Sequence, residues 1–90
     1  MKLNGTKKQV AWAGEIIRKK TNRINELISK SLTSEEEEKF KREKGMLDII
    51  IGHINDAEFW IENKDSSVFA MGIKIKTNPE KYKKYWETGE

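Results

Sequence analysis

The sequence predicts an all-α fold: a small single domain of four or five helices, with a long first helix packed on the second. Three observations lead there. Thr6-Lys7-Lys8-Gln9 has the Ser/Thr-x-x-Glu/Gln form of a capping box, and an apolar stripe at helical spacing follows it. Ser34-Glu35-Glu36-Glu37 repeats that form ahead of a second apolar stripe. Only one segment, Gly72-Ile73-Lys74-Ile75-Lys76, alternates like a strand, and a lone strand has nothing to pair with.

Residues 1–5 read as a short arm. The first helix is expected from about Lys7 to about Lys30, with Val10, Ala13, Ile17, Ile24, Leu27 and Ile28 on one stripe. Trp12 and Ile16, four apart, flank that stripe and widen it. At 1.5 Å per residue this helix would be about 36 Å long. Leu32-Thr33-Ser34 breaks it. The glutamates at 35–37 sit where the dipole of a second helix favours negative charge. Helix two runs to Ile51 or Ile54, with Phe40, Leu47, Ile51 and Ile54 as its stripe. Gly45 and Gly52 either weaken it, by up to about 1 kcal/mol each, or permit a close helix crossing. Asn55-Asp56 offers an N-cap to a short third helix, "AEFWIEN". Asp65 or Ser66 is expected to cap a fourth, "SVFAMGIKIK", which Thr77-Asn78-Pro79 ends. Pro79 then opens a last helix through about Glu87.

Composition excludes several classes of function. There is no cysteine, hence no disulfide and no thiolate metal site. The longest purely apolar run, Ile49-Ile50-Ile51, is far short of a membrane span. Met1-Lys2-Leu3-Asn4 leads into no apolar signal region, so the expected location is cytoplasmic, with no membrane partner. His53 is the single histidine and reads as a satisfied or surface residue. No HExxH, glycine-rich phosphate loop or defensible catalytic triad is present. The expectation is a protein that is not an enzyme and carries no metal and no cofactor.

Charge and aromatics point to binding. Charged residues make up 37% of the chain, yet the net charge is only +3. Basic residues gather on helix one, at Arg18, Lys19 and Arg23, and near the C-terminus, at Lys81, Lys83 and Lys84 beside Tyr82, Tyr85 and Trp86. Lysines interleaved with aromatics suit single-stranded nucleic acid. They equally suit an acidic protein surface, or a terminal helix docking its aromatics on the core. Trp12 and Trp60 each read either as a core residue, with the indole N–H reaching an acceptor, or as the wall of a site. If the third helix packs against the start of the first, the two would share one cluster. Lys8, Gln9, Asn63 and Lys64 would then ring its rim, as a polar collar or as the specifiers of a pocket for a small anionic, nucleotide-like ligand.

"GTKKQVAWAGEI" together with "DAEFWIENKDSS" resembles a motif pair of small uncharacterised proteins from phages, plasmids and other mobile elements of Firmicutes-type bacteria. The pattern is Gly-Thr/Ser-x-Lys-Gln-x-x-Trp-Ala-x-x-Ile followed by Trp-Ile-Asp/Glu-Asn-Arg/Lys. The matching positions are Gly5, Thr6, Lys8, Gln9, Trp12, Ala13 and Ile16, then Trp60, Ile61, Glu62, Asn63 and Lys64, about a quarter of the chain. Lys64 stands where the group more often has arginine, which weakens any claim for bidentate anion binding there. The resemblance implies a mobile-element origin and a small protein that occupies a host protein, as antagonists of host defence do. Nucleic acid is the alternative partner, and a homodimer is compatible with the widened face of helix one.

Overall fold

The computed structural model describes residues 3–87, with side chains described through Lys83. Among these residues there are five helices and no extended strand: α1 Lys7–Ser29, α2 Ser34–His53, α3 Ala57–Glu62, α4 Val68–Thr77 and α5 Pro79–Glu87. The expected all-α fold is present, and α1 packs on α2 and on α3. The segment that alternates at 72–76 lies within α4 and is helical. Of its two isoleucines, Ile75 is buried and Ile73 is exposed, and among the described residues no strand lies beside it.

The caps show why each helix starts where it does. At α1 the Gln9 N–H donates to the Thr6 hydroxyl at 3.1 Å, and the Thr6 N–H donates to Gln9 Oε1 at 2.9 Å, completing the capping box. At α2 the cap is Thr33, one residue earlier than expected, with the Glu36 N–H on its hydroxyl at 3.1 Å. Thr33-x-x-Glu36 and Ser34-x-x-Glu37 are overlapping registers of one motif. The earlier register prevails because Glu36 also accepts from the Leu32 N–H at 2.9 Å, closing the loop behind the helix. At α4 the cap is Ser67, not Asp65 or Ser66, and its hydroxyl accepts from the Ala70 N–H at 3.0 Å. Asp65 is drawn away to the Lys64 ammonium at 2.8 Å.

The N-terminal arm is held in place. The Asn4 N–H donates to the Asn55 carbonyl at 2.7 Å, and the Ala57 N–H donates to the Asn4 carbonyl at 2.9 Å, a short parallel bridge onto the α2–α3 link. Gly5 turns the chain from this bridge into α1 at a φ of +152°. A Cβ there would stand 3.0 Å from the Ala57 Cβ, so the bridge and the turn together demand glycine.

The core gathers Ala13 and Ile24 of α1, Leu47 and Ile50 of α2, Ile54, the buried Ala57, Phe59 and Trp60 of α3, Met71 and Ile75 of α4, and Tyr82 of α5. Phe59 and Trp60 are sequence neighbours about 100° apart on the helix, and both lie on the buried face of α3, whose other face carries the exposed Glu58 and Glu62. Trp60 is fully buried, and its indole N–H donates to the Ile54 carbonyl at 3.1 Å. Phe59 meets Trp60 edge-on at 5.5 Å and Tyr82 edge-on at 5.7 Å, and so docks α5.

The helix-interior glycines of α2 take no part in a close crossing: a Cβ at Gly45 or Gly52 would meet nothing within 4 Å. The close approach is at Gly72, where a Cβ would lie 2.7 Å from Met46 Sδ, and there α4 crosses α2. Gly45→Ala therefore gains helix propensity with no clash, and a stabilisation of about 0.5–1 kcal/mol is expected. In a chain of this size that is a rise in melting temperature of roughly 2–8 °C, readable by circular dichroism. A fall would show that Gly45 has a contact the fold conceals.

Candidate functional site

An apolar groove of about 910 Å³ lies between α2, α4 and α5. Its floor is Met46 and Ile50, with Ile75 behind them. Its walls carry Ile49 of α2 and Phe69 and Ile73 of α4, and Pro79 with Glu80 and Lys83 of α5 closes one end. Ile49 is 58% exposed, Ile73 62% and Phe69 37%. Three large apolar side chains exposed around one depression exceed the single surface hydrophobes any protein shows. The rim is polar, with Lys76 and Lys83 against Glu80.

Local sequence explains the groove. Leu47, Ile50 and Ile54 of the second helix segment face the core, and Ile49 sits about 100° around the helix from Ile50. In α4, Val68, Met71 and Ile75 are buried, and Phe69 and Ile73 occupy the opposite side. A ten-residue helix apolar on both faces buries one face and leaves the other for something else. Sequence reasoning missed this site. The signal was present in the surplus: Ile49-Ile50-Ile51 must turn at least one isoleucine away from any single core face, and "VFAMGIKI" is apolar nearly all round.

The residues expected to form a site are dispersed. Trp60 is a core residue at 0% exposure, and Trp12 is 50% exposed outside the core, so the two do not share a buried cluster. The physical reason is register: Trp12 stands at the edge of the buried face of α1, about 40° from Ile16 but about 100° from Ala13 and about 120° from Ile24, so its ring is half covered. Gln9 serves the capping box, and Lys8 lies exposed beside it. Asn63 is 1% exposed and fully engaged: its Nδ2 donates to the Phe59 carbonyl at 2.8 Å, and its Oδ1 accepts from Lys74 Nζ at 3.1 Å. It closes the end of α3 and ties α4 to it. Lys64 is exposed and paired with Asp65.

The basic residues divide by element. Arg18 is bound to Glu15, one turn back; that hydrogen bond holds the Glu15 carboxyl below its ordinary range and raises the guanidinium further. Lys19 and Arg23 line a smaller cleft of about 340 Å³ with Lys20, Glu43, Lys64 and Asp65, at the start of α4. Lys20 Nζ donates to the Ser66 carbonyl at 2.6 Å and, weakly, to that of Lys64 at 3.4 Å. Burial lowers its ammonium below the ordinary lysine range, against the opposing pull of Asp65. Lys81 lies over the Tyr82 ring at 5.6 Å, and Lys83 stands on the groove rim. The side chains of Lys84 and Trp86 lie outside the described residues, as does that of Tyr85.

His53 is half-buried in the last turn of α2, where the helix dipole favours a cation. Among the described residues no three His, Cys, Asp or Glu side chains gather as metal ligands. No helix there is long and apolar enough to cross a membrane. No protein-family model, curated protein or solved structure matches the chain.

Asn63 and Lys64, adjacent in the motif pair, separate in stability. Asn63→Ala leaves Lys74 without its amide acceptor and takes from the Phe59 carbonyl one of its two donors, the backbone N–H of residue 63 remaining, and a loss of about 1–3 kcal/mol is expected. Lys64→Ala removes an exposed ion pair and should stay within about 0.5 kcal/mol of the parent. Urea denaturation reads both; equal losses would contradict the structural role assigned to Asn63.

Proposed function

We propose that the chain is a small non-catalytic binding protein whose α2–α4–α5 groove receives the apolar face of a helix on a partner protein. The observation that carries this is the common exposure of Ile49, Phe69 and Ile73 around one groove. Phe69 and Lys76 lie two turns apart, about 10 Å along α4. That is the repeat over which an amphipathic helix presents anchors at i, i+3, i+4 and i+7. Lys76 and Lys83 outnumber Glu80 on the rim, so an acidic flank on the incoming helix is favoured. A second copy of the chain fits less well, since it would bring the same positive edge and a net charge of +3 against itself. The resemblance of the motif pair to mobile-element proteins supports a host protein as the partner, of a defence or replication system in the cytoplasm. Most of that motif pair serves caps and core here, so it supports a shared fold more directly than a shared binding face.

Site-specific photo-crosslinking tests this. A photoreactive residue at Ile73 and, separately, one at Trp12 are irradiated in host cytosol. Capture of one partner is expected from position 73 and not from position 12. Phe69→Glu should abolish it, because a buried aromatic anchor carries about 2 kcal/mol or more of an interface. Ile73 crosslinked to a second copy would make the groove a dimer seam instead. Capture from Trp12 alone, unaffected by Phe69→Glu, would overturn the assignment.

A further inference from the structure

A second face stands apart from the groove. On α1 the residues Lys8, Trp12, Lys19 and Arg23 fall within an arc of about 60° at 100° per residue. All four are exposed, and the Trp12 ring is half exposed among cations. Along the axis Lys8 precedes Trp12 by about 6 Å, and Lys19 precedes Arg23 by the same step. Lys8, Lys19 and Arg23 enter no ion pair among the described residues. Two carboxylates belong to this face, Glu15 about 20° outside the arc and Glu26 within it, and both are already held, Glu15 by Arg18 and Glu26 by Lys30. The stripe runs at its Lys19–Arg23 end into the cleft that also holds Lys20 and Lys64. Glu43 and Asp65 are the acidic groups there, and Asp65 is paired with Lys64.

We infer that this stripe of α1 binds single-stranded nucleic acid, with phosphates on Lys8, Lys19 and Arg23 and one base stacked on Trp12. A row of uncommitted cations tracks a backbone, and an exposed indole between them offers a stacking platform that tolerates any base. An acidic protein surface would use the cations but would gain little from an isolated ring with no other exposed apolar residue on its face of α1. The inference does not depend on the groove, which involves none of these residues.

The test is fluorescence anisotropy with a labelled thymidine 20-mer over a range of salt. Binding is expected at low salt, with affinity falling on a log–log slope of about −2, as three neutralised phosphates require. Lys19→Ala with Arg23→Ala should reduce that slope by about 1.4 and weaken binding about tenfold or more. Trp12→Ala should weaken it about tenfold with the slope unchanged, and Trp12→Phe should restore most of the loss. All four positions are exposed, and far-ultraviolet circular dichroism confirms that each variant is folded. Absence of binding at low salt overturns the inference. So does equal affinity for polyglutamate, or binding indifferent to all four substitutions, which would move the contact to the C-terminal lysines.

Discussion

The arrangement depends on one buried tryptophan. Trp60 is fully buried in the core, and its indole N–H reaches back to the carbonyl of Ile54, the C-cap residue just past α2. That bond ties α3 to the C-cap of α2, and α3 packs on α1. From α3 the other elements are placed in turn. The Asn4 bridge fastens the start of the chain to the same link, Phe59 seats Tyr82 and with it α5, and Asn63 holds Lys74 and with it α4. An aromatic ring of this size contributes several kcal/mol through burial alone, a large fraction of the margin available to so short a chain. Without it the helix that positions α4 and α5 has no reason to stay.

The groove follows from that placement. α4 and α5 are drawn to one side of α2 by contacts on their inner faces, and Gly72 lets α4 approach Met46 closely. The outer faces of α2 and α4 are then left side by side, and among the described residues no further helix covers their apolar side chains. Both are built with more hydrophobic surface than the domain can bury. Exposed isoleucine and phenylalanine at this density reduce solubility and serve no purpose in folding, so a partner is the natural account of them. The polar face of α1, with its uncommitted cations, has a different chemistry, and the ligand proposed for it is of a different kind.

Much of the fold was legible in the sequence. Helix periods, the first capping box, proline opening the last helix and the absence of a pairing strand all follow from local rules that tertiary contacts left intact. The two displaced caps show where local rules run out. Thr33 and Ser34 offer overlapping registers, and only the loop contact of Glu36 with Leu32 decides between them. Ser67 prevails at α4 because Lys64 claims Asp65. The site was less legible. Trp12 and Trp60 are the same residue type in similarly apolar stretches, and their fates diverge because Trp60 lies on the buried face of α3 whereas Trp12 lies at the edge of the buried face of α1. Asn63 looked like a ligand contact because an isolated asparagine gives no sign that a lysine eleven residues on will fill its other half. The groove needed a count of apolar faces against available neighbours, which periodicity along one helix at a time does not supply.

Hydrogen exchange of the protein, alone and with its captured protein partner, tests the central claim most directly. The account predicts new protection over α4 and the C-terminal half of α2, around Ile49, Phe69 and Ile73, with the Lys8–Arg23 face of α1 unchanged. Protection confined to α1, with α4 exchanging as in the free protein, would contradict it.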